Sequence, residues 1–125
     1  MIWRLHRHRQ IDFDLRVQII GVLNVTPDSF YDGGRYVDSQ QAADHALQLT
    51  DEGADIIDIG GESSRPPIYG EVAPVAIDEE CRRVVPVVKA IRRQSEIPIS
   101  IDTVKPEVAR QALAAGADII NDISA

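Results

Sequence analysis

The sequence has one cysteine, one tryptophan and one methionine, and aromatic residues make up only 5% of it. The single cysteine, Cys81, excludes an internal disulfide framework; placed in a predicted helix with no histidine nearby, it reads as an inert thiol. Positive charge is scarce as well: 13 Lys and Arg stand against 20 Asp and Glu, for a net charge of -7. Nucleic acid and anionic membrane are thereby excluded as partners, since both demand a dominant basic face. No apolar run is long enough to span a bilayer, and Met1 to Gln10 lacks the apolar stretch that a secretory signal carries after its basic start. A cytoplasmic location is expected. The basic residues Arg4, Arg7 and Arg9, with His6 and His8, fall in the first ten positions, and residues 1–16 read as a solvated N-terminal extension without a function.

What is present is an ordinary globular composition, 44% hydrophobic and 26% charged over 125 residues, with no segment polar or repetitive enough to be disordered. Val17 to Asn24 is a short apolar run of branched residues followed at once by turn chemistry, which predicts a buried strand. Asp38 or Ser39 opens a helix that puts Ala42, Ala43, Ala46, Leu47 and Leu49 toward one side and stops at Gly53. Ala54 to Gly60 is a second strand, and residues 61–76 a long connection of glycine and proline clusters. The next helix begins at Asp78, Glu79 and Glu80, acids suited to a helix N-terminus, and should bury Val84, Val85, Val88 and Ile91, with a kink or break at Pro86. A third strand, Ile97 to Asp102, a helix from Pro106 to Ala115, and a fourth strand, Ala117 to Ile123, complete the order.

Apolar strands that alternate with helices predict an α/β fold with a parallel sheet. The pentapeptide Gly53-Ala-Asp-Ile-Ile57 recurs as Gly116-Ala-Asp-Ile-Ile120 at the same kind of junction, which suggests repetition of one unit. The pattern belongs to an open sheet or to part of a barrel, a fold that needs about 250 residues. Each predicted strand carries an amide or carboxylate at or near its C-terminal end: Asn24, Asp58, Asp102 and Asn121. Any one of them has a local explanation, Asn24 as a turn cap before Pro27 or Asp102 as a helix cap. Four at equivalent ends point to a site, because a buried polar group without a partner costs about 2–7 kcal/mol. With no histidine among them they make no metal cage, and they suit a heteroaromatic ring with adjacent donors and acceptors. In Gly60-Gly-Glu-Ser-Ser-Arg-Pro66, Arg65 offers a fork of donors for a phosphate, and glycine backbone with Ser63 and Ser64 allows close approach.

Asn24-Val-Thr-Pro-Asp-Ser-Phe30 with Asp32-Gly-Gly-Arg35, then Asp58-Ile-Gly-Gly-Glu-Ser-Ser-Arg-Pro66, Ser100-Ile-Asp-Thr103 and Ile120-Asn-Asp-Ile123 together resemble the successive signatures of the dihydropteroate synthase family. The resemblance covers residues 17–125. It implies a pterin-binding (β/α)₈ TIM barrel, here about its first four strands and three helices, and the condensation of 4-aminobenzoate with a dihydropterin diphosphate in folate biosynthesis. It further implies that Asn24 holds Mg²⁺ on the diphosphate and that Asp102 and Asn121 bind the pterin ring with Ile123 packed near it. Ser64 and Arg65 match a second mobile loop that contacts the diphosphate. The first loop, Thr26 to Phe30 and with it Asp28, closes over the site, while Phe30 and Pro66 flank the aminobenzoate ring.

The family more often has Thr where Ser64 stands and Gly where Pro67 stands; the proline removes an amide donor and bears on how sulfonamide mimics of aminobenzoate fit. The family's second half supplies a further pterin-binding acid, a lysine, an arginine and a histidine that have no counterpart here. The chain is therefore expected to pair with a missing C-terminal half or to self-associate as a homodimer, and not to catalyse alone. A pterin-dependent methyltransferase and a non-catalytic pterin-binding half barrel are the competing readings; the Thr-Pro-Asp-Ser-Phe and Ser-Ser-Arg-Pro segments favour the synthase over the methyltransferase.

Overall fold

The computed structural model describes residues 1–26, 31–32, 36–61 and 75–123. The chain runs through β1 (Ile2–Arg4), a 3₁₀ turn (His6–His8), β2 (Gln10–Asp12), β3 (Ile20–Asn24), β4 (Tyr31–Asp32), β5 (Tyr36–Val37), α1 (Ser39–Asp51), β6 (Ile56–Gly60), α2 (Ile77–Arg92), β7 (Ile99–Asp102), α3 (Pro106–Ala115) and β8 (Ile119–Asn121). The expected parallel sheet is present: β3, β6, β7 and β8 lie side by side in that order and every pair is parallel. Each of these strands starts two or three residues later than the sequence suggests.

The helices begin and end where local chemistry says they should. The Asp38 carboxylate accepts from the Gln41 backbone N–H at 2.9 Å, an N-cap that satisfies one of the open donors of α1. Gly53 and Gly116 stand at φ 118° and 124°, a region that side chains resist, and so stop α1 and α3. α2 runs through Pro86 without the break that was one of the two outcomes expected there. The ring lies on the exposed side of the helix, and the carbonyl it leaves unpaired, that of Arg82, belongs to an exposed residue within reach of water. The buried face of α2 also differs from the sequence reading: Val87 is buried beside Val84, Val88 and Ile91, while Val85 is only half-buried.

α1, α2 and α3 cover one face of the sheet. Leu23, Ile57, Ile59, Ile99 and Ile101 pack there with Ala42, Ala43 and Ala46 of α1, Val84, Val87, Val88 and Ile91 of α2, and Ala112 of α3. Complete burial contributes about 1.5–3 kcal/mol for each isoleucine. Side chains alternate along a strand, so the even-numbered residues of β3, Ile20 and Val22, face the other way and stand 56% and 60% exposed.

The repeated pentapeptide has a structural meaning. In the first copy the Asp55 backbone N–H donates to Ile19 O at 2.7 Å while its carboxylate accepts from the Ile19 N–H at 2.8 Å. In the second, Asp118 N–H donates to Ile99 O at 2.9 Å and its carboxylate accepts from the Ile99 N–H at 3.0 Å. Each copy thus stops a helix with glycine and ties the next strand to the start of its neighbour with aspartate. The N-terminal segment is likewise more than a solvated tail. β1 and β2 pair antiparallel, Trp3 packs edge-on against Phe13 with ring centroids 4.8 Å apart, and Ile11 is buried. Arg9, expected in water, donates to Asp118 at 2.6 Å and to the Glu96 carbonyl at 2.7 Å, which fastens the hairpin to the bottom of the sheet. Cys81 is buried, and burial first, then the nearby charges of Glu107, Glu80 and Asp78, push its thiol pKa up. An unreactive thiol is what that environment produces.

Candidate functional site

The register of the sheet sets four residues in one row across its C-terminal end: Asn24 opposite Gly60, Gly60 opposite Asp102, and Asp102 opposite Asn121. One pleat lower, Val22 pairs with Asp58, Asp58 with Ser100, and Ser100 with Ile119. A period of two puts both rows on the face turned away from the helices. Gly60 leaves a gap in the upper row. A Cβ placed there would lie 3.5 Å from Asp102 Oδ2 and 3.8 Å from Asn24 Oδ1, so a carboxylate and an amide stand over a position that has no side chain of its own. A cavity of about 450 Å³ runs along this face, lined by Trp3, Val22, Asp58, Ser100, Ile119 and Asn121 among others.

The electrostatics of the two rows are unbalanced. Burial raises the Asp102 pKa, and the negative charges of Asp58 and then Glu80 raise it further. Asp58 is 8% exposed, and among the described residues its buried Oδ1 accepts no hydrogen bond. An orphaned acceptor of this kind costs about 1–3 kcal/mol, a cost that a ligand with N–H donors removes. Carboxylates that only accept, beside amides that both donate and accept, suit a flat ring edged with N–H groups and ring nitrogens. Among the described residues no group of three or more His, Cys, Asp or Glu is placed to hold a metal ion, and no helix is long and apolar enough to cross a membrane.

The family model for pterin binding enzymes matches residues 20–125, the stretch that carries all four strand ends. The chain belongs to the pterin binding enzyme family. The dihydropteroate synthase of Clostridium beijerinckii is 50% identical over 115 residues, which make up 92% of this chain and 41% of that protein. The solved structure of the Xanthomonas albilineans dihydropteroate synthase with 4-aminobenzoic acid aligns at a TM-score of 0.82 and 47% identity, over 94% of this chain and 42% of the other. The same organism's enzyme in complex with 7,8-dihydropteroate aligns at 0.75 and 46% identity, over 93% and 40%. The chain thus spans about two fifths of the length of the relatives it matches. Its fold is of the α/β TIM-barrel type, present among the described residues as four parallel strands and three α-helices.

In this member of the family the strand order brings Asn24, Asp102 and Asn121 together, as their common position at strand ends suggested. Ile123 follows two residues beyond Asn121 and is 70% exposed. Asp28, Phe30, Ser64, Arg65 and Pro66 fall outside the described residues, as does Pro67. Asp58 is one pleat below the row, near the strand end as expected, and Gly60 stands at the end itself, where the predicted strand Ala54 to Gly60 also finishes. A strand ending at Gly60 with period two places Asp58 and Gly60 on the same face. Gly60→Ala is expected to leave the melting midpoint unchanged or slightly raised, because a methyl at 3.5 Å makes ordinary contacts. It should weaken pterin binding about tenfold by filling the gap between Asn24 and Asp102. Thermal melts and a fluorescence titration of the same sample check both halves, and unchanged affinity would mean that the ligand does not reach Gly60.

Proposed function

We propose that the protein carrying this chain is a dihydropteroate synthase, which joins 4-aminobenzoate to (7,8-dihydropterin-6-yl)methyl diphosphate and releases 7,8-dihydropteroate and diphosphate. The observation that carries this reading is the row of Asn24, Asp102 and Asn121 around the bare Gly60, with the unpartnered Asp58 acceptor beneath it. Relatives crystallised with 4-aminobenzoic acid and with 7,8-dihydropteroate support it from outside the chain.

In this reading Asp102 and Asn121 hold the edge of the pterin ring through its N–H groups, and Asp58 takes a further donor. Ile123 packs near the ring. The bond from the methylene carbon to the diphosphate oxygen breaks, and its electron pair leaves with the diphosphate. The pterin ring delocalises the cation that remains. The aminobenzoate nitrogen attacks the methylene carbon and then gives up a proton, so no protein nucleophile takes part. Ser64 and Arg65 bind the diphosphate as its charge grows, Phe30 and Pro66 flank the aminobenzoate ring, and the loop containing Asp28 keeps out water that would trap the cation.

Magnesium fits this arrangement. Asn24 Oδ1 stands at the rim of the row beside Gly60, and an ion that keeps most of its waters needs only one or two oxygens from the protein. When bound there, Mg²⁺ would neutralise part of the diphosphate charge.

The test is turnover by the intact protein supplied with both substrates and Mg²⁺. Equal yields of dihydropteroate and diphosphate are expected. Diphosphate release that ignores aminobenzoate, or no dihydropteroate at all, would overturn the assignment.

A further inference from the structure

The backbone that carries Asp102 is held by a side chain from outside the sheet. α3, which follows β7, has no side-chain N-cap bond of its own. Its approach is secured by Glu80, in the first turn of α2, which is 1% exposed. Glu80 Oε2 accepts from Thr103 Oγ1 at 2.5 Å, and Oε1 accepts from Lys105 Nζ at 2.7 Å. Thr103 Oγ1 also accepts from the Lys105 backbone N–H at 3.2 Å. Both carboxylate oxygens therefore serve residues just beyond Asp102. The same turn of helix meets the chain just beyond Gly60: a Cβ at Gly61 would come within 3.1 Å of Glu80 Cγ and 2.9 Å of Val84 Cγ2, and Arg83 Nη1 donates to Gly61 O at 2.8 Å. An acid in the first turn of a helix ordinarily sits in water; burying one is costly, and an apolar residue of the same size commonly serves stability as well.

We propose that Glu80 is a positioning residue of the pterin site, which through Thr103 and Lys105 fixes the turn that sets the Asp102 carboxylate beside Gly60. The inference rests on the reading of Asp102 as a pterin ligand. Glu80 never meets the ring. It acts by removing the freedom of the backbone on which Asp102 stands, in the way that supporting groups around a binding site hold the groups that touch the ligand. Because Gly61 has no side chain, Glu80 also packs directly against the residue that follows the Gly60 strand end.

The experiment uses the intact protein and the fluorescent pterin 6-hydroxymethylpterin as the probe, with affinity read from quenching. Glu80→Gln and Thr103→Val are each expected to weaken the pterin about tenfold, the size of losing one charge-assisted hydrogen bond. Thr103→Ser, which keeps the hydroxyl, should bind as the parent does. The double variant Glu80→Gln with Thr103→Val should bind no more weakly than either single one, because the two residues act through one contact. The KM for 4-aminobenzoate should stay within twofold of the parent, a split that general loosening of the fold would not give. A folded Glu80→Gln protein that binds the pterin within twofold of the parent overturns the inference, and so do losses that multiply in the double variant. If Glu80→Gln does not fold, parent-like affinity in Thr103→Val overturns it equally. A parent protein that fails to quench the probe removes the pterin reading itself and this inference with it, whereas a parent that binds and variants that bind alike remove the inference alone.

Discussion

Replacing Asp118 with alanine is expected to destabilise the fold by about 3–5 kcal/mol, the cost of removing one partner from a buried ion pair. Its side chain is fully buried and accepts from Arg9 Nη2 at 2.6 Å, Arg92 Nη2 at 3.0 Å and the Ile99 N–H at 3.0 Å. Arg92 keeps its other bonds, to the carbonyls of Gly116, Ser95 and Ile97, but both half-buried guanidinium groups lose the carboxylate they share. Asp55 provides an internal control, because it occupies the same place in the first copy of the repeat and makes the same reciprocal pair with Ile19, the residue just before β3. Its arginine partner, Arg16, is 65% exposed, so Asp55→Ala should cost much less, about 1 kcal/mol. Asp118→Asn should fall between the two, since it can still accept from Ile99. Urea unfolding of the three variants checks the order. Equal losses at 55 and 118 would mean that the backbone pair, common to both copies, carries the stability and the half-buried arginines add nothing.

The same comparison shows how far the sequence could be read. The two copies of Gly-Ala-Asp-Ile-Ile identify the junctions, and the glycines, the Asp38 cap and Pro106 at the first turn of α3 locate helix ends through chemistry that depends on a few adjacent residues. Strand order and register follow less directly, yet once the sheet is parallel and consecutive, the alignment of Asn24, Asp102 and Asn121 follows from strand ends alone. What could not be read depends on distant partners. Arg9 looks like a surface charge until Asp118, 109 residues away, is brought to it. The β1–β2 hairpin left a faint trace, Ile2-Trp3 facing Ile11 and Asp12, but pairs only three positions on each strand and gains its anchorage from elsewhere in the fold. Glu80 looks like one of three ordinary acids at a helix start, and only the approach of Thr103 and Lys105 sets it apart from Asp78 and Glu79. The choice between Val85 and Val87 turned on a difference of about 200° around the helix, which a run of four valines interrupted by proline does not reveal.

Asp102→Asn should abolish most pterin binding, by about 100-fold, and at neutral pH should raise the melting midpoint. The two effects have one origin. Burial, the Asp58 charge and the Glu80 charge all oppose ionisation of Asp102, so its pKa in the folded protein lies above the value it has in the unfolded chain. The unfolded state therefore gives up this proton first as pH rises. Between the two values the folded state loses stability with increasing pH, and above both it carries the whole penalty. Asparagine keeps the shape and removes the charge. Its advantage in thermal stability should be greatest near pH 7, shrink as pH falls through the raised carboxylate range, and vanish below about pH 4, where aspartate is neutral in both states. Pterin affinity of the parent should run the other way, falling on acidification at a higher pH than an ordinary aspartate would cause, because an ionised Asp102 is the better acceptor for ring N–H groups. A midpoint that drops in Asp102→Asn at pH 7 would show that some unseen donor already compensates the charge. A pterin affinity that survives the substitution would show that the ring is held by Asp58 and Asn121 without it. The expected pairing, stability gained where binding is lost, is what a carboxylate kept charged against its surroundings for the sake of a ligand should give.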